Sequence, residues 1–183
     1  MLAALMALLL GPVGADPTVV ERSEYYEVAG SSEKELRAAI DRLRPNDAKG
    51  ERHDAFTKWD VHWEYRYNSS AGACALTSFT TSVEVSTRLP KWSNRDAGSR
   101  LAERWDRYIA ALQDHERGHA QIGLRAAKAI QERLSALDQQ PTCPLLEESI
   151  KSKGEALLDE HRSEEAEYDR RTKHGASQGA RFP

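Results

Sequence analysis

The chain has 183 residues, a formal net charge of −3, and 39% hydrophobic against 30% charged residues. That is enough for one domain with a buried core. No basic surplus exists to serve nucleic acid or an anionic membrane surface, and both are excluded as partners.

The N-terminus is a segment apart. Leu2 to Leu10 is an apolar run followed by Gly11-Pro12-Val13-Gly14-Ala15, the form of a secretory leader with Val13 and Ala15 at the −3 and −1 positions. No Lys or Arg precedes the run. It is too short to span a bilayer, which takes about 20 residues. Residues 1–15 are therefore expected to be a signal peptide and residues 16–183 a single periplasmic or secreted domain. In that setting Cys74 and Cys143 are expected to form a disulfide. It would close a loop of about 70 residues, worth about 3–4 kcal/mol by the chain-entropy model.

Along the chain, Thr18 to Ala29 carries Val19, Val20, Tyr25, Tyr26 and Val28 and reads as a strand ending at Gly30. Ser31-Ser32 with Glu35 has the form of a capping box, opening a helix to about Leu43 that Pro45 stops. After a polar loop from Asn46 to Asp54, Trp59, Val61, Trp63, Tyr65 and Tyr67 alternate with polar residues, the pattern of a half-buried strand. A turn at Asn68 to Gly72 leads to a second strand, or pair of strands, from Cys74 to Leu89. Pro90 is expected to end it and to place Trp92 in a polar linker.

From about Ala97 to Leu137 the period becomes helical. Leu101, Trp105, Tyr108, Leu112, His115, His119, Ile122, Ala126 and Ile130 fall on one stripe. Pro141 and Pro144 break the pattern, and a second helix is expected from about Leu145 to Asp169. The Gly-rich tail after it, His174 to Pro183, is expected to be irregular. The fold class implied is α+β, a small antiparallel sheet packed on a long helix and an antiparallel C-terminal helix.

The long helix contains His115-Glu116-Arg117-Gly118-His119, an H-E-x-x-H motif. Histidines at i and i+4 share a helix face and can grip one metal ion, while the intervening glutamate can take a proton from water. Gly118 costs about 1 kcal/mol in a helix interior, which makes sense if something approaches the backbone there. A catalytic zinc site needs a third protein ligand. Glu132 and Asp138 continue the same helix and lie about 20 and 28 Å from His119 at 1.5 Å per residue, out of reach. If the last helix folds back antiparallel about residue 141, His119 faces about residue 163 and His115 about residue 167. His161, Glu164 and Glu165 are then the geometric candidates. His53 and His62 read as ordinary surface or strand histidines.

Two blocks are more specific: Trp105-x-x-Tyr108-x-x-x-Leu112-x-x-His115-Glu116-x-Gly118-His119, and Tyr168-Asp169-x-x-Thr172-x-His174-Gly175-x-x-Gln178-Gly179-Ala180-x-Phe182-Pro183. With Trp59-x-x-x-Trp63-x-Tyr65 and Leu89-Pro90-x-Trp92, they resemble a bacterial domain family of unknown function described as secreted zinc-dependent proteases of zincin-like HExxH type. The resemblance implies Zn2+ as cofactor, a peptide or protein as substrate, and His174 as third metal ligand beside His115 and His119. Glu164, Glu165 and Asp169 remain alternatives, and Asp169 could instead orient a ligating histidine. In the implied reaction zinc activates a water, Glu116 is the general base, and Tyr168 donates to the oxyanion. Two other functions fit the same motif: a cell-envelope hydrolase or amidase acting on peptidoglycan peptides, and a non-catalytic metal-binding module.

Overall fold

One long strand organises the sheet. A computed structural model describes residues 15–46, 50–70, 72–95 and 100–182; the leader segment lies almost wholly outside them. In chain order the elements are β1 (Thr18–Val28), α1 (Glu33–Leu43), β2 (Phe56–Ser70), β3 (Ala73–Trp92), α2 (Arg100–Ser135), α3 (Cys143–Thr172) and a short 3₁₀ turn (Ala176–Gln178). The sheet order is β1-β3-β2. β2 and β3 form an antiparallel hairpin in which Trp59 faces Val85 and Tyr65 faces Phe79.

The α+β class is as expected, but the sheet is mixed rather than wholly antiparallel. β1 runs parallel to β3, from Thr18 beside Ser82 to Val28 beside Trp92. The cause is the placement of α1. It keeps the chain at the end where β1 finishes, so β2 runs back and β3 returns alongside β1. Ser32 caps α1 by accepting from the Glu35 N–H, and Glu35 reaches back to the Ser31 N–H, which is the capping pattern read from the sequence.

Two further expectations are corrected at the end of β3. Pro90 does not stop the strand, which continues to Trp92. Pairing with β2 ends at Phe56 opposite Arg88. Position 90 therefore has a neighbour on one side only, where a missing N–H is tolerated. Trp92 is a core residue rather than part of a linker. It packs on Trp105 at 5.8 Å between ring centroids, and its indole N–H donates to the Gly30 carbonyl at 3.0 Å. Pro144, read as a breaker, instead sits in the first turn of α3, where its missing N–H is one of the free donors anyway.

α2 spans three apolar clusters in succession. Its first part, with Trp105, Tyr108 and Leu112, packs on Tyr26, Leu36, Ile40, Trp92 and Phe182. Ile122 and Ala126 pack on Trp59, Val83 and Val85. Ile130 and Leu134 pack on Phe79, Leu146, Ile150 and Leu157. The buried polar residues His115, Glu116 and His119 interrupt this core between Leu112 and Ile122. Gly123 allows β2 close to the helix just beyond them, since a Cβ there would stand 2.5 Å from the Trp59 ring. The expected disulfide is present: Cys74 and Cys143 are bonded, tying the start of β3 to the start of α3. Reciprocal backbone hydrogen bonds between Cys74 and Gln140, at 2.7 and 2.8 Å, hold the same junction.

Asp54, before β2, ties the other end together. Its carboxylate accepts two hydrogen bonds from Arg37, at 2.6 and 2.7 Å, and one from the Tyr108 hydroxyl at 2.7 Å. Burial alone would raise its pKa, yet the bonds from Arg37 and Tyr108 outweigh that and hold the carboxyl below its ordinary value.

Replacing both cysteines by alanine should cost about 2–4 kcal/mol in denaturant unfolding; an unchanged midpoint would contradict the bridging role. For Asp54 the folded pKa is depressed, so its contribution is complete above the ordinary carboxylate range and fades as pH falls through it. Asp54→Asn should therefore cost about 2–3 kcal/mol near neutrality and flatten the acid limb of the stability profile.

Candidate metal site

α2 brings His115 and His119 to one face by its 3.6-residue period, and the rings sit 4.9 Å apart between centroids. α3 returns antiparallel and supplies the rest. His119 meets Glu165 and Asp169, within about two turns of the position expected from a fold about residue 141. Three atoms converge. His115 Nε2 and His119 Nε2 are 3.3 Å apart, and Asp169 Oδ1 lies 3.3 Å from the first and 3.1 Å from the second. His115, His119 and Asp169 form a group that could hold a metal ion.

The opposite nitrogen of each ring is engaged elsewhere. His115 Nδ1 faces Gln178 Oε1 at 3.0 Å, and His119 Nδ1 faces Glu165 Oε1 at 3.2 Å. Glu165 is itself held by the Trp59 indole N–H at 3.0 Å. Outer partners of this kind fix the rotation and tautomer of ligating histidines.

Burial disfavours a charged His119 ring, but hydrogen bonds to Asp169 and Glu165 more than compensate and push it up to about 10. Burial likewise opposes ionisation of Asp169, but the adjacent His115 and His119 rings hold its carboxyl well below the usual range. The pocket thus favours positive charge at its centre. Glu116 is as buried as the histidines, and its Oε2 has no hydrogen-bond partner. Burial raises its pKa, with the Thr57 hydroxyl and the two histidines acting in the opposite direction.

The other sequence candidates are placed differently. His174 stands outside the three-residue group. It is 55% exposed, with Nδ1 3.5 Å from Asp169 Oδ1 and its ring 5.4 Å from that of His53. His161 Nδ1 bonds the Leu157 carbonyl one turn back on its own helix. Glu164 pairs with Arg125. His62 is exposed on β2. Tyr168 stacks on His115, and its hydroxyl donates to the His115 backbone carbonyl at 3.1 Å. In this arrangement the hydroxyl hydrogen is engaged by that carbonyl. Gly118 explains how the ring gets there, because a Cβ at 118 would overlap the Tyr168 hydroxyl.

Sequence reasoning missed Gln178, Trp59 and Thr57, and it gave Glu165 as a candidate ligand rather than as the partner of His119 Nδ1. Gln178 fell within the resembling C-terminal block without a role, and Trp59 read only as an alternating strand residue.

Among known proteins, the profile of a bacterial family described as "Bacterial protein of unknown function (DUF922)" matches residues 23–175. No curated protein and no solved structure matches the chain significantly. The match takes in the second half of β1, the whole of β2 and β3, the three α-helices and the three residues that converge between α2 and α3. On that coverage, the chain belongs to this bacterial family of unknown function.

Proposed function

We propose that this protein is a secreted or periplasmic zinc-dependent hydrolase of peptide bonds, with zinc held by His115, His119 and Asp169. The supporting observation is the triangle of donor atoms, with sides of 3.3, 3.3 and 3.1 Å. A tetrahedral metal with bonds of about 2.0–2.1 Å separates its ligand atoms by about 3.3 Å. Two imidazole nitrogens and a carboxylate oxygen suit zinc, and three protein ligands leave the fourth position open, as hydrolytic sites require. The partnerless buried Oε2 of Glu116 supports the same reading, because a water or substrate atom would satisfy it.

Bound zinc would supply Lewis acidity toward a water molecule and a scissile carbonyl. The protein's own groups do the rest. Glu116, held in a buried site that eases its protonation, takes the proton from water and delivers it to the leaving nitrogen. Glu165 and Gln178 keep the two imidazoles turned toward the centre. Asp169 supplies the negative charge that favours a cation there. The disulfide fits an oxidising compartment, and among the described residues no helix is long and apolar enough to cross a membrane.

Glu116→Gln should bind zinc as wild type does and lose at least about 100-fold in hydrolysis of peptide substrates; undiminished turnover would remove Glu116 from the mechanism. The third ligand is decided by zinc affinity in competition with a chelator. Asp169→Ala should lose more than about 100-fold, beyond the range usual for outer-shell changes, while His174→Ala should stay within about tenfold. The reverse order would make His174 the ligand.

A further inference from the structure

Four groups around His115 form a closed ring of hydrogen bonds whose direction is set by one of them. The His115 backbone carbonyl can only accept, so the Tyr168 hydroxyl, 3.1 Å away, gives its hydrogen there. The hydroxyl oxygen then accepts from Gln178 Nε2 at 3.3 Å. This orients the amide and turns Gln178 Oε1 toward His115 Nδ1 at 3.0 Å. An amide oxygen only accepts, so Nδ1 carries the proton. In the neutral ring Nε2 is then bare, and Nε2 is the atom that faces His119 Nε2 and Asp169 Oδ1.

We propose that Gln178 is a positioning residue that holds His115 in its Nδ1–H tautomer, presenting the Nε2 lone pair to the metal; the metal half of this rests on the zinc site proposed above. The tail is built to deliver that amide. Past α3, Lys173, His174 and Gly175 take left-handed conformations in succession, with φ of 54°, 50° and 77°. For the two non-glycine residues such conformations are unfavourable and persist only where the surroundings enforce them. They fold the chain back over α2 so closely that a Cβ at Gly175 would stand 2.9 Å from the His115 ring. Phe182 anchors the far end, its ring 5.4 Å from Trp105 and 5.1 Å from Tyr108 between centroids. Gln178 lies between turn and anchor, so the tail is held at both ends by contacts other than its side chain.

His119 has a different arrangement. Its Nδ1 meets a carboxylate that is also fixed by Trp59, whereas His115 relies on one neutral amide. Replacing Gln178 therefore tests the tautomer of a single ligand.

The experiment is nitrogen NMR on histidine-labelled protein, zinc-free and zinc-loaded, with zinc affinity measured by chelator competition on wild type, Gln178→Leu and Gln178→Glu. In zinc-free wild type, His115 should be protonated at Nδ1. Gln178→Leu should shift it toward Nε2–H and weaken zinc binding about 10–100-fold, with an unchanged unfolding midpoint. Gln178→Glu, which keeps an acceptor facing Nδ1, should retain both properties. An Nε2–H tautomer in wild type would overturn the proposal without recourse to any variant. So would a Gln178→Leu protein with wild-type tautomer and affinity. Wild type with the Nδ1–H tautomer but no zinc binding would leave the assignment to Gln178 standing and refute the zinc site itself.

Discussion

The distance between α2 and α3 at Gly118 decides what this site can be. With no side chain at 118, Tyr168 lies flat on the helix and bonds the His115 carbonyl. That contact brings the next residue, Asp169, within 3.1–3.3 Å of both histidines. A methyl group at 118 would collide with the Tyr168 ring and displace it from the His115 carbonyl. The glycine is unfavourable for the isolated helix and leaves the space that the Tyr168 ring fills.

The rest of the fold serves that approach. α2 buries apolar residues above and below the site, so His115, Glu116 and His119 sit in a gap in an otherwise continuous core. Desolvated polar groups are costly unless partnered. Here the outward nitrogens have partners in Gln178 and Glu165, while the inward atoms face one another. With both rings neutral and protonated on their outward nitrogens, two lone pairs and a carboxylate oxygen point at one small volume. That arrangement is unfavourable in itself and becomes favourable around a cation. The disulfide fixes where α3 begins, and Phe182 fixes where the tail ends. The site is therefore held from both ends of α3.

Much of this was legible in the sequence because it is periodic. The stripe from Leu101 to Ile130 placed the histidines on the buried face of a helix, and Ser32 with Glu35 marked the start of α1. The return of the last helix was legible too, which confined the expected third ligand to the segment after Pro141, where the resemblance pointed to His174. What the pattern could not carry was register and side-chain reach. A shift of a few residues along α3 decides between Glu164, which pairs with Arg125 at the surface, and Asp169, which meets the histidines. The parallel pairing of β1 was hidden because strand alternation says which face a residue takes and nothing about its neighbour. Pro90 and Trp92 misled for a related reason: local breaker and linker signals gave way to a strand edge and an aromatic cluster formed by distant residues.

The most direct measurement is a crystal structure of the zinc-loaded protein with anomalous diffraction recorded at the zinc edge. The account predicts one strong peak bonded to His115 Nε2, His119 Nε2 and an Asp169 carboxylate oxygen, with a fourth position open toward Glu116. No peak between α2 and α3, or a peak held by His174 with Asp169 turned away, would contradict it.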